Sequence, residues 1–175
     1  MHLSGTDTAL IAAIRSGGQS GADRGALDAA RSQGVGIEGW CPAGGWAEDL
    51  PEPPRLLSEY PELMETPSVD PAQRTEWNVR DSDATLILAP LSTNGVAASP
   101  GTRLTLELAE KYQKPSLLIG EGSTDEIATV LDWLAGQGNG LILNVAGPRE
   151  SESPRGLPAR LRCHHSTAGA QSMRT

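Results

Sequence analysis

Two hydrophobic rhythms follow one another along the chain. Short continuous apolar runs occur at Ala9–Ile14, Val35–Trp40, Thr85–Ala89, Ser116–Ile119 and Gly140–Val145, with the length and residue types of buried strands. Between them, apolar residues recur at helical spacing. Ala22, Ala26, Leu27, Ala29 and Ala30 predict a helix over Ala22–Ser32, which Gly34 stops. Asp70 followed by Pro71 predicts an N-cap and first residue for a helix over Pro71–Arg80, with Trp77 on its core side, away from Arg74. Leu104, Leu106, Leu108 and Ala109 predict a helix over Thr102–Tyr112, and Ile127, Val130, Leu131 and Leu134 one over Asp125–Ala135. The proline-rich Cys41–Pro71 stretch reads as a long loop, either a lid over a site or a passive surface excursion. Residues 90–100 read as a second loop. Strands alternating with helices of ~10 residues predict an α/β fold with a mostly parallel sheet and helices on both faces. A ligand then belongs outside the carboxyl ends of the strands.

Composition narrows the class. A chain of 175 residues is long enough for one domain with a real core, and with no Phe, four Trp and two Tyr that core must be aliphatic. The net charge of −8 argues against a general nucleic-acid surface, although Arg74 and Arg80 lie close enough for a local basic pocket. No apolar run approaches a membrane span, and the N-terminus lacks a signal-peptide pattern, so a cytoplasmic protein is expected. The two cysteines, Cys41 and Cys163, are far apart, which suits a reducing compartment. Cys163-His164-His165 has ligand chemistry but no fourth ligand in view, and no metal site is expected. Residues 153–175 hold four arginines and no acid, and predict a basic, poorly packed tail after a domain spanning 1–152.

Three glycine-centred signatures carry the candidate chemistry. Ser16-Gly17-Gly18-Gln19-Ser20-Gly21 lies between a strand and a helix, where glycine lets backbone approach a ligand and unpaired N–H groups attract an anion. A plain tight turn fits the same residues. Asp23 reads as a first-turn residue suited to the dipole, or as an acceptor for a ribose hydroxyl or a pterin nitrogen. Gly101-Thr102 reads as a phosphate-holding helix start or as a simple N-cap, and Glu107 as a general acid/base or a solvated residue. Arg74 and Asn78 are four apart on one helix face and can clamp a phosphate, with Arg80 two residues on. Salt bridges from Arg74 to Asp70 or Glu76, and from Arg80 to Asp81 or Asp83, are the alternative. Asn144 to Arg149 ends the last strand, where Gly147-Pro148 turns the chain and sends Arg149 toward the strand ends.

The string Ile14-Arg15-Ser16-Gly17-Gly18-Gln19-Ser20-Gly21-Ala22-Asp23-Arg24 resembles the opening of the molybdenum carrier proteins, a circularly permuted YpsA-like branch of the SLOG superfamily. Gly39-Trp40-Cys41-Pro42, Arg74-Thr75-Glu76-Trp77-Asn78-Val79-Arg80-Asp81-Ser82-Asp83, Gly101-Thr102, Thr105-Leu106-Glu107 and Asn144-Val145-Ala146-Gly147-Pro148-Arg149-Glu150-Ser151 match it too. The resemblance implies a Rossmann-like three-layer fold and a small anionic ligand: molybdate, molybdenum cofactor or a nucleotide. With the signatures above, the candidate ligand contacts are Ser16 to Gly21, Asp23, Asn78, Arg80, Gly101, Thr102, Asn144, Gly147 and Arg149. The related LOG-type phosphoribohydrolases cleave nucleoside monophosphates, and Arg74 and Glu107 are similar to their catalytic pair. Glu107 stands further from Thr102 than that pattern has it. A nucleotide-derivative sensor is a further alternative, and a homodimer is implied by resemblance alone.

Overall fold

A computed structural model describes residues 9–53, 55–89, 99–120 and 123–152. Residues 90–98, most of the second expected loop, and the 153–175 tail with Cys163-His164-His165 lie outside the described residues. Six strands form one all-parallel sheet: β1 (Ile11–Arg15), β2 (Gly36–Cys41), β3 (Leu63–Glu65), β4 (Ala84–Leu88), β5 (Ser116–Ile119) and β6 (Leu141–Ala146), in the order β3-β2-β1-β6-β4-β5. Five helices connect them: α1 (Ala22–Ser32), α2 (Arg55–Glu59), α3 (Pro71–Arg80), α4 (Pro100–Lys111) and α5 (Thr124–Gln137). The architecture is the expected Rossmann-like α/β fold.

Right-handed crossovers decide the layers. Steps from β1 to β2, β2 to β3 and β5 to β6 run one way across the sheet; steps from β3 to β4 and β4 to β5 run the other way. Helices α1, α2 and α5 therefore cover one face, and α3 and α4 the other. The core divides accordingly. Ile14, Leu86, Leu143 and Val145 pack with Leu27 of α1, Leu56 of α2 and Leu134 of α5. Val79 of α3 packs separately with Leu108 and Ala109 of α4.

Local chemistry sets the helix ends. Asp70 is the N-cap of α3, its carboxylate accepting from the Ala72 N–H at 2.9 Å, with Pro71 at the first position. Ser123 and Glu126 close a capping box on α5. Ser99, not Thr102, caps α4. The first strand runs Ile11–Arg15 rather than Ala9–Ile14. The expected 41–71 loop contains α2 and the edge strand β3, which pairs with β2 through Gly39 and Leu63. Among the described residues no helix is long and apolar enough to cross a membrane.

The register brings the polar residues of three strands together. Asn144 of β6 lies opposite Arg15 of β1 on one side and Thr85 of β4 on the other. From β1 the chain leaves toward β2, and from β4 toward β5, so the central strands form a switch point with an open crevice at their carboxyl ends.

Candidate functional site

The crevice holds a cavity of about 50 Å³. Its walls come from the ends of β1 and β6 and from helices α1, α3 and α4. At the end of β1, Ser16 is fully buried and its hydroxyl donates to the Val145 carbonyl at 2.7 Å, which ties the turn to β6. Gly17 follows, and the Arg74 side chain crosses directly over it. A Cβ at Gly17 would lie 1.9 Å from Arg74 Nη1, so no other residue leaves the guanidinium in place. Gly147, past β6, is equally confined: a Cβ there would lie 2.4 Å from the Leu88 carbonyl oxygen and 2.5 Å from Ala22 Cβ.

Helix α1 places Asp23 in its first turn with 3% of its surface exposed. Helix α3 brings Arg74 to it from across the cleft, and Nη1 donates to Asp23 Oδ2 at 3.0 Å. The Gln19 N–H donates to the same oxygen at 3.4 Å. Burial pushes the Asp23 carboxyl above the usual carboxylate range, against the pull of Arg74 and the N–H groups of Gln19 and Gly147. Arg74 Nε is buried with no hydrogen-bond partner among the described residues. A buried guanidinium with unspent N–H capacity is an expensive group to keep unless a ligand completes it.

The other polar side chains of the lining are uncharged and largely committed, and Ile87, Val145 and Ala146 add apolar surface. Asn78, one turn after Arg74, accepts from the Trp40 N–H at 2.8 Å and donates to the Trp40 carbonyl at 2.9 Å, pinning α3 to β2. The Thr102 hydroxyl shares a hydrogen bond with Ser99 at 3.0 Å, and the Thr105 hydroxyl donates to the Gly101 carbonyl at 2.9 Å. Asn144 Nδ2 donates to Thr85 Oγ1 at 3.3 Å. The first turn of α4 faces the cavity through Gly101 and Thr102, adding the favourable end of a helix dipole.

Eight of the expected site residues thus line the cavity: Gly17, Asp23, Arg74, Asn78, Gly101, Thr102, Asn144 and Gly147. The remaining ones do not. Gln19 is spent within the protein, its side-chain oxygen accepting from the N–H groups of Ser20 at 3.1 Å and Glu48 at 2.8 Å. The Ser20 hydroxyl donates to the Glu48 carboxylate. The Gly18 carbonyl accepts from Arg24 at 3.0 Å, and Gly21 lies against the Pro148–Glu150 backbone. Arg80 pairs with Asp81 and stacks over Trp77 at 4.9 Å, so its salt-bridge alternative is the one observed. Trp77 is half-buried and edge-on to Trp40 at 4.7 Å, outside the core expected for it. Arg149 sits 5.7 Å over the Trp46 ring. Glu107 is exposed on α4 and does not reach Arg74's side of the helix.

The sequence reading missed Thr75 and Thr105, which also line the cavity, and Glu48, which ties the Ser16–Gly21 turn to Ser151. Thr105 had a signal: it falls one turn after Thr102 on the same helix face. No local spacing marks Glu48, because its partners come from the turn at Ser20 and from Ser151, 103 residues away. Among the described residues no group of three or more His, Cys, Asp or Glu side chains is arranged to hold a metal ion.

The profile of the circularly permutated YpsA SLOG family matches residues 14–160. A crystal structure of a protein from Syntrophus aciditrophicus SB, described as "Putative molybdenum carrier protein", is similar over most of its length. It shares 37% identity and superposes with a TM-score of 0.75, covering 89% of this chain and 93% of that one. No curated protein matches the chain.

Proposed function

The chain belongs to the circularly permuted YpsA SLOG family, and we propose that it is a binding protein for a molybdenum-bearing anion, held in the strand-end cavity. The observation that carries this reading is Arg74, which lines the cavity, lies across Gly17 and has a buried Nε without a hydrogen-bond partner among the described residues. Its planar fork suits the oxygens of a tetrahedral anion. The α4 N-terminal turn, which also lines the cavity, adds backbone dipole. The molybdenum comes from the name of the Syntrophus aciditrophicus relative, and so stands as a proposal for this chain.

Size limits what enters. One water needs roughly 10–15 Å³ of such volume, so about 50 Å³ suits a single oxyanion or phosphate group. Two cargoes fit that limit: molybdate itself, or the phosphate end of molybdenum cofactor with its ring system outside. The phosphoribohydrolase alternative relies on Glu107, which sits on the exposed side of α4.

Titration calorimetry at low salt with molybdate, tungstate, phosphate and AMP tests the reading. Arg74→Lys keeps the charge and removes the fork, and is expected to weaken the bound anions tenfold or more. Absence of binding heat for the whole panel, with the protein folded, overturns the reading.

A further inference from the structure

We propose that the cavity selects anions that bring a proton of their own, hydrogen phosphate or a phosphate monoester, over aprotic dianions such as sulfate and molybdate, with Asp23 enforcing the choice. The inference rests on the cavity being an anion site, and it names which end of the cargo enters: the phosphate rather than a bare metal oxyanion.

The charge inventory leads there. Asp23 from α1 and Arg74 from α3 both line the cavity, 3.0 Å apart. Their side chains are 4% and 14% exposed, so little water screens either. An anion that reaches the guanidinium is therefore also brought beside the carboxylate. Among the described lining residues no other charged side chain is present: α4 contributes Gly101, Thr102 and Thr105, β6 and its end contribute Asn144 to Gly147, and α3 adds Thr75 and Asn78. The pair sums to zero, and no other side chain among the described lining residues carries a charge to offset a second negative one; the α4 dipole contributes only a partial positive charge. The neutral donors are partly committed already, the Asn78 amide to Trp40 and the Thr105 hydroxyl to Gly101, and they bring no net charge.

A carboxylate against an aprotic oxyanion sets lone pair against lone pair in a weakly screened site. One proton between them converts repulsion into a short charge-assisted O–H···O bond. Sulfate and molybdate carry no proton near neutral pH. Inorganic phosphate keeps at least one throughout, and a monoester keeps its last one up to a pKa of about 6. The raised affinity of Asp23 for a proton suits such a shared bond, since the site itself favours keeping one there.

Affinities for phosphate, phenyl phosphate, sulfate and molybdate, measured by calorimetry at pH 6 on the wild-type protein and Asp23→Asn, test the choice. The wild type is expected to hold phosphate and phenyl phosphate at least tenfold tighter than sulfate or molybdate. In Asp23→Asn that ratio falls toward one, because the amide offers a donor where the carboxylate offered only acceptors. Removing a negative charge strengthens every anion, so the ratio and not the absolute affinity is the readout. A pH series on the wild type needs no variant: between pH 6 and 8 phenyl phosphate falls by roughly tenfold relative to inorganic phosphate as it loses its proton. Sulfate or molybdate binding the wild type as tightly as phosphate, or an unchanged phenyl phosphate to phosphate ratio across that range, overturns the selection while leaving an anion site. Failure of all four anions to bind overturns both this inference and the function it rests on.

Discussion

The two flanks of the strand-end crevice are built on opposite terms. On the flank of the Ser16–Gly21 turn, polar side chains are consumed by the protein: Ser16 by Val145, Gln19 by Ser20 and Glu48, and Ser20 by Glu48. The Glu48 carboxylate also accepts from the Ser151 hydroxyl at 2.6 Å, fastening the short 3-10 turn Glu150–Glu152 over the rim. On the α3 flank, Arg74 lines the cavity and keeps a buried Nε without a partner among the described residues. Glycines in the first flank make room, and the second supplies the cation. The glycine-rich strand–helix turn itself is thus a frame here, and the guanidinium comes from a helix across the sheet, 51 residues from the Asp23 it meets.

The sharpest way to break this comparison is to remove the charge from the second flank. Arg74→Ala leaves Asp23 buried without its cation, and a buried pair broken on one side typically costs about 3–5 kcal/mol. Urea unfolding at pH 7 should show that loss, and the double variant Asp23→Asn/Arg74→Ala should recover a large part of it. The pH dependence has a definite sign. The Asp23 carboxyl in the folded state lies above its ordinary value of 3.8, so its contribution to stability is full below that value and is lost as pH rises through the folded value. Without Arg74 the folded value climbs further, and the Arg74→Ala deficit should shrink on acidification. A deficit under about 1 kcal/mol that is flat with pH would mean that Asp23 does not depend on Arg74.

Two glycines sharpen the comparison at smaller cost. They look alike in sequence, each before or within a helix start. At Gly17 a Cβ would meet Arg74 Nη1 at 1.9 Å and Cζ at 2.6 Å, whereas at Gly101 it meets only Ser99 Oγ at 3.8 Å. Gly17→Ala should cost about 1–3 kcal/mol through overpacking and abolish measurable anion binding by displacing the guanidinium. Gly101→Ala, in the first turn of α4, should be neutral or stabilise by up to about 1 kcal/mol, because alanine costs less entropy in a helix. Melting temperatures of the two variants separate them. Equal losses would show that both glycines are needed as such.

The same contrast explains what the sequence could and could not reveal. The ends of α1 and α3 and the span of β5 follow from local signals: Gly34 beyond one helix, Asp70-Pro71 before the other, and Pro115 before the strand. The edge strand β3 is three residues long and α2 five, too short for either hydrophobic period to register among prolines. The placement of Glu107 follows in part from helix geometry. At 100° per residue it lies about 140° around the helix from Thr102 and about 160° from Thr105, so a helix that turns the two threonines to the cavity turns Glu107 away. The Asp23–Arg74 pair has no such local signal, because it depends on α1 and α3 lying on opposite faces of a sheet whose strand order sequence spacing does not encode.

The smallest expected effect belongs to the first flank. Glu48→Gln keeps the shape and removes the charge that gathers the Ser20 hydroxyl and the Ser151 hydroxyl and N–H. Charge-assisted hydrogen bonds at a partly exposed site bring a cost of about 1 kcal/mol, seen as faster amide exchange in residues 148–152 before any change in global unfolding. Burial works to raise the Glu48 carboxyl, but the bonds from Ser151 and Ser20 and the charge of Arg149 outweigh it and hold it below its ordinary value of 4.5. Its contribution is therefore present above that value and lost as pH falls through the folded one, opposite in sign to Asp23. If the first flank is only a frame, Glu48→Gln should leave phosphate affinity within about twofold of wild type, since no charge in contact with the cavity has changed. A tenfold loss of affinity with stability intact would instead place the Glu48 network in the binding chemistry and erase the division between the two flanks.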